Sequence, residues 1–294
     1  FTGSYGTLGI LTELTFRVYP IPSASATVVL VGEPEKIATA TKTLLASALT
    51  QTAVDLLSTK LVNQLGLAQG MGLMVRFQSV TESVKDQSSR LLSVGEKLGL
   101  KGTIYNDDNE QLWQFLSEKI WNAPQKPVIT CKIGVSPIAA VSTLTQLEHI
   151  TSAQGMGLIH GVSGLGLLQL DVTVTAQTIM EMRQYCESKN GFLTILEAPA
   201  TIKEQLDVWG YNGNALEIMR LLKQQFDPKN ILSSNRFVGG IWLKKILHTQ
   251  HTKKITTTTT SPNFPTQDSV KLDFSESLKE NPNSGFDTTH HPKQ

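Results

Sequence analysis

The chain has 294 residues, of which 40% are hydrophobic and 17% charged, and its formal net charge is +1. That is enough apolar material for one large domain or two, and too little positive field to neutralise a phosphate backbone, so nucleic-acid binding is excluded as an expected role. No apolar run reaches the roughly 18 residues that a membrane-spanning helix needs.

The chain opens Phe1-Thr2-Gly3-Ser4-Tyr5-Gly6-Thr7-Leu8-Gly9-Ile10-Leu11-Thr12-Glu13, with a glycine every third residue, a predicted strand after it and no initiator Met before it. Glycines this close let backbone N–H groups approach a ligand and adopt positive φ without a Cβ penalty, which suits a pyrophosphate or a flavin ring. The spacing is not the G-x-G-x-x-G fingerprint that opens a helix, and by spacing alone a glycine-rich turn before a strand is the readier account.

After Pro20-Ile21-Pro22 a strand–helix–strand rhythm begins. Strands are predicted at 24–31, 52–57, 72–79 and 101–105, a helix from Pro34 to about Ala48, and a second helix at 82–98. A helix at 107–122 carries Leu112, Trp113, Leu116 and Ile120 on one stripe, so Trp113 and Trp121 read as packing residues. The rhythm then repeats: strand 127–135, helix 137–153, strands 156–162 and 166–174, helix 175–190 and strand 191–197. Two β-α-β-β-α-β units predict an α+β fold, a wide, mainly antiparallel sheet of duplicated ferredoxin-like units with helices on one face and the other face open.

A last helix at 214–226 stops at Phe226-Asp227-Pro228, because the residue before proline is steered out of the helical region. Thr256 to Thr260 lead a polar tail, and 249–294 is expected to be disordered. His290-His291 lies in that tail without neighbouring ligands, so no metal site is expected. Cys131 and Cys186 sit in apolar-patterned segments and read as reduced core thiols, hence a cytoplasmic setting.

The string from Gly3 to Pro22 is similar to the closing segment of the FAD-binding domain in the vanillyl-alcohol oxidase type of flavoproteins, with its G-(S/T)-x-G-x-L-G-(I/V)-(I/L)-T run and Pro-x-Pro exit. A second string, Lys223-Gln224-Gln225-Phe226-Asp227-Pro228-Lys229-Asn230-Ile231-Leu232, resembles the C-terminal signature of the same FAD-linked oxidases, which returns the chain toward the flavin. It departs where Ser233-Ser234-Asn235-Arg236 stands for the family's Asn-Pro-Gly-Arg/Lys: the basic residue matches, the Asn and the rigid turn do not. With the short cap and Phe237-Val238-Gly239-Gly240-Ile241 after the Arg, the chain looks most like the branch of that family that supplies the FAD-binding subunit of bacterial glycolate oxidase.

The resemblance implies FAD as cofactor, with Gly3, Ser4, Tyr5, Gly6, Thr7, Gly9, Ile10 and Arg236 as cofactor-binding residues. It implies oxidation of a small 2-hydroxy acid to the 2-oxo acid, with hydride passing to flavin N5 and electrons onward to an iron–sulfur partner subunit. D-Lactate or an aldonolactone is the alternative substrate, and a noncatalytic scaffold subunit the alternative role. His160, in Gly157-Leu158-Ile159-His160-Gly161, is similar to a substrate-domain histidine of these oxidases and suits the base that takes the hydroxyl proton. A turn histidine between strands is the competing reading, since no acidic orienter is evident beside it. Arg76, in Met74-Val75-Arg76-Phe77, suits a bidentate carboxylate clamp, against a solvent-facing arginine opposite Val75 and Phe77.

The expected organisation is a remnant of the FAD-binding domain at 1–22, a cap or substrate domain at 23–213, a helix and returning segment at 214–248, and the tail. On the same resemblance the sequence is the C-terminal part of a longer chain. A complex holding it against the inner face of the membrane is the alternative to a free cytoplasmic protein.

Overall fold

Alternation of Ala26, Val28 and Leu30 against Thr27, Val29 and Val31 makes Ala24–Gly32 a strand with two buried faces, β1 of the structure. In this computed structural model the described residues are 1–106, 109–120, 127–234 and 236–238. Trp121, Asn235, the Gly239-Gly240-Ile241 run and the whole segment expected to be disordered, with His290-His291, lie outside them.

Helix α1 (Pro34–Leu45) follows, with proline in its first turn where a missing N–H costs nothing. Then come β2 (Ala53–Leu57), α2 (Thr59–Gln64), β3 (Met71–Ser79), α3 (Thr81–Lys97), β4 (Lys101–Tyr105) and α4 (Asn109–Ile120). The second half runs β5 (Val128–Gly134), a 3-10 turn at Pro137–Ala139, α5 (Ala140–Ile150), β6 (Met156–His160), β7 (Leu165–Asp171), α6 (Ala176–Ser188) and β8 (Phe192–Glu197). Two further helices, α7 (Ala200–Gln205) and α8 (Leu216–Phe226), close the described chain.

The strands form one eight-stranded sheet in the order β4-β1-β3-β2-β6-β7-β5-β8. Every neighbouring pair is antiparallel. Read inward from either edge, the order is fourth, first, third, second strand of each half, so the sheet is two ferredoxin-like units joined edge to edge. The join is the β2–β6 ladder, which pairs Asp55 with His160, Leu56 with Ile159 and Leu57 with Leu158.

One face of the sheet packs beneath α1, α3, α5 and α6. There Leu30, Leu73 and Phe77 meet Ile37, Leu44 and Leu91 in the first half, and Cys131, Ile133 and Leu168 meet Leu144, Ile179 and Met182 in the second. Both cysteines are free and buried, and burial pushes each thiol up to about 12.

The opposite face is not open, contrary to expectation. Val29, Val31, Leu57, Met74, Leu158 and Leu167 make it apolar too, and α2 and α4 cover them with Leu61, Val62, Leu112, Leu116 and Ile120. Exposed, that surface would have favoured association. Toward the end carrying Ser25, Arg76 and His160 this face turns polar.

The strand expected from Ile10 is not formed among the described residues. Ile10, Phe16, Val18 and Ile21 are 76–93% exposed (79%, 76%, 84% and 93%), and no strand pairs with this segment. Alternating apolar residues specify a strand only where a neighbouring edge satisfies the backbone.

Candidate functional site

The opening glycine run and the returning segment meet. Helix α8 turns Lys223 inward, where its ammonium donates to Thr7 O (2.8 Å), Asp227 Oδ2 (2.5 Å) and Leu232 O (2.9 Å). Three donors find three acceptors, which is what allows a lysine only 4% exposed. Asp227, just past the helix end, also accepts from Ile231 N (3.0 Å) and Leu232 N (2.8 Å). Burial alone would raise its carboxyl. The hydrogen bonds from Lys223, Ile231 and Leu232 and the Lys223 charge outweigh that and hold it at about 2.

Around this junction lies a pocket of about 210 Å³, lined by Gly3, Ser4 and Thr7 from the opening run, by Met219 and Leu222 of α8, and by Arg236 of the returning segment, among others. Gly3 and Gly6 have φ of 84° and 73°, the left-handed conformation expected of them. Tyr5 is left-handed too, at 54°, and its ring stands edge-on to Trp209 with centroids 5.0 Å apart. Gly9 underlies the Phe1 ring. The structure therefore brings Gly3, Ser4, Thr7 and Arg236 together at one pocket, sets Tyr5 and Gly6 into its supporting turn, leaves Gly9 beyond that turn, and leaves Ile10 79% exposed. The substituted turn is tight despite lacking Pro-Gly: Ser233 adopts φ 41°, and its carbonyl accepts from Arg236 N at 3.1 Å.

His160 and Arg76 share the second face of the sheet but do not touch. His160 ends β6 opposite Asp55, and its Nδ1 donates to Asp55 Oδ1 at 2.5 Å. The Asp55 side chain is 5% exposed and that of His160 48%, so the carboxylate is enclosed while the ring's other edge reaches solvent. The hydrogen bond to Asp55 raises the imidazole pKa; partial burial opposes this and the Asp55 charge adds to it. The orienter absent from the neighbouring sequence is thus supplied from the next strand.

Arg76 leans the other way, toward β1. Its Nε donates to Ser25 Oγ (3.1 Å), its Nη2 to Glu110, and its guanidinium lies 5.6 Å from the centroid of the Trp113 ring. It is not a solvent-facing arginine, for its side chain is 17% exposed. Trp113 packs as expected and also donates Nε1–H to Thr27 Oγ1 at 2.8 Å.

Sequence reasoning missed Asp55, although a carboxylate inside Ala53-Val54-Asp55-Leu56-Leu57 signals a buried charge needing a partner. Among the described residues no group of three His, Cys, Asp or Glu is placed to hold a metal, and no helix is long and apolar enough to cross a membrane.

No family model matches the chain, and no curated protein matches it. Solved structures similar to it include alkyldihydroxyacetonephosphate synthase, at 14% identity over 78% of this chain and 47% of that one, with a TM-score of 0.49. Another is p-cresol methylhydroxylase with substrate bound, at 14% identity over 72% of this chain and 52% of that one, TM-score 0.49. A third is 4-ethylphenol oxidase from Gulosibacter chungangensis in complex with isoeugenol, at 12% identity over 73% and 53%, TM-score 0.48. The chain spans about half the length of each of these structures.

Proposed function

We propose that the chain is the cap and flavin-contacting part of an FAD-dependent oxidoreductase acting on a small 2-hydroxy acid such as glycolate. The observation that carries this reading is the Lys223 junction: the two strings that resemble FAD-linked oxidases are bonded together 216 positions apart, around one pocket. The pocket suits one edge of a flavin-sized group, having the positive-φ Gly3 on one wall, apolar Leu8, Met219 and Leu222 on others, and the Arg236 cation. At about 210 Å³ it is smaller than the roughly 300–1,000 Å³ of ordinary cofactor pockets, so these residues hold only part of such a group. On this reading residues 1–22 belong with the flavin domain and 23–213 form the cap.

Bound FAD would supply the hydride acceptor. His160 takes the hydroxyl proton of the acid at Nε2, the edge left clear by the Asp55 bond, as hydride leaves the adjacent carbon. Asp55 fixes the tautomer and the ring plane. Arg76 anchors the substrate carboxylate. The resemblance to the glycolate oxidase branch supports an iron–sulfur subunit as the onward electron acceptor.

The test is anaerobic addition of glycolate, D-lactate and an aldonolactone to the intact flavin-loaded protein, read as loss of flavin absorbance. Bleaching by glycolate supports the reading, and bleaching by another of the three moves the substrate within the class. Failure of the intact protein to bind flavin, or to bleach with any of them, ends it.

A further inference from the structure

Arg76 is held by Ser25, Glu110 and Trp113, which differ in how firmly they are themselves held. Ser25 Oγ, which takes the Nε bond, also accepts from Asn109 Nδ2 at 2.9 Å. Asn109 is 2% exposed and accepts from Thr27 Oγ1 as well, while Trp113 Nε1 donates to the same Thr27. The first two turns of α4 are therefore pinned to β1 by Asn109 and Trp113, independently of any charge.

Glu110 stands apart. Its side chain is 74% exposed, and among the described residues its bonds are to Arg76 and, at 3.4 Å, to the amide of its neighbour Asn109. Nothing in the packing requires it. An ion pair with one exposed member is weak, whereas a largely desolvated guanidinium keeps its demand for an anion. Glu110 also sits in the first turn of α4, where the helix dipole favours a carboxylate even when Arg76 is released.

We infer that Glu110 is a built-in stand-in for a ligand carboxylate: it fills the Arg76 bond in the empty site, and a small carboxylic acid displaces it into solvent while Asn109 and Trp113 stay in place. This rests on the reading of Arg76 as the substrate anchor and adds to it a way of regulating that site. The exchange is of like for like, one carboxylate oxygen for another on the same N–H group, so the site discriminates by charge and planarity before any chemistry begins. It also keeps Arg76 turned toward β1, away from His160, until the acid arrives.

Calorimetric titration of the intact protein with glycolate, and with neutral glycolamide as control, tests it in wild type, Glu110→Gln, Glu110→Ala and Arg76→Met. Glycolate is expected to bind both Glu110 variants about two- to fivefold more tightly than wild type, the range released by losing an exposed ion pair. Glycolamide should bind all of them alike, and Arg76→Met should lose the preference for the anion. If Arg76→Met binds glycolate as well as wild type does, Arg76 is not the anchor and the functional reading loses that residue. If Arg76→Met loses binding but neither Glu110 variant gains, Arg76 is the anchor, Glu110 is a structural partner, and this inference alone is overturned. Unchanged melting temperatures of the variants exclude a folding defect as the source of either result.

Discussion

The Lys223 ammonium and the Thr7 carbonyl, 216 positions apart, lie at 2.8 Å and tie the first turn of the chain to its last described helix. Replacing Lys223 by Met removes the only cation in that bond set and leaves the Thr7 and Leu232 carbonyls without their shared donor. Hydrogen exchange should then lose protection at Ser4 and Thr7, whose N–H groups close the opening turn at 3.1 Å each, while the sheet amides stay protected. Retained protection at Ser4 and Thr7 would show that aromatic contacts alone hold the run.

The same junction should open in acid. The Asp227 carboxyl titrates at about 2 in the folded protein, below the roughly 3.9 of a free aspartate. Its contribution is therefore complete above pH ~4 and is lost as pH falls toward 2. Tyr5 and Trp209, edge-on at 5.0 Å, should report the opening as a change in near-ultraviolet dichroism over that interval, and no change between pH 4 and 2 would contradict the coupling.

For His160 the sign is reversed. A folded-state pKa above the ordinary histidine value of ~6.5 means that the pair with Asp55 stabilises fully below that value and loses its contribution as pH climbs through the raised one. A base of raised pKa also gives activity that rises with pH through it. In Asp55→Asn the imidazole titration followed by NMR should move down, and the alkaline-rising limb of the rate profile should move with it. An imidazole titration unchanged by the substitution would remove Asp55 as the orienter.

Ser233 at φ 41° occupies a conformation that costs an L-residue roughly 1–2 kcal/mol, part of which glycine returns through the unfolded chain. Ser233→Gly should therefore stabilise the returning segment by about 1 kcal/mol, seen as greater protection of Arg236 N in hydrogen exchange. A loss of protection would place an unrecognised role on the hydroxyl.

Cys131 and Cys186, with thiols raised to about 12 by burial, should be inert to thiol reagents at neutral pH and both react on unfolding. Rapid modification of native protein would show that the helical layer over the sheet opens easily.

Much of the fold was legible because strand alternation is local: the prediction at 72–79 met a strand at Met71–Ser79, and 101–105 met Lys101–Tyr105. Helices α2 and α7 went unread, each being six residues and too short to display a stripe. The apolar run that follows Gly9 reports a preference for a strand, whereas a strand also needs a paired edge. Of the candidate site, His160 and Arg76 were legible as unusual residues in apolar strands. Their partners were not: Asp55 is 105 positions from His160, and neither composition nor period reports which strands become neighbours.

The β2–β6 ladder has a consequence for how the His160–Asp55 pair arises. His160 lies in one copy of the duplicated unit and the Asp55 carboxylate that binds its ring in the other, so a single copy does not contain the pair. The pair exists only when the seam closes. Doubling a small sheet here does more than widen a platform, because it creates between two similar halves a dissimilar pair of side chains that neither half holds alone.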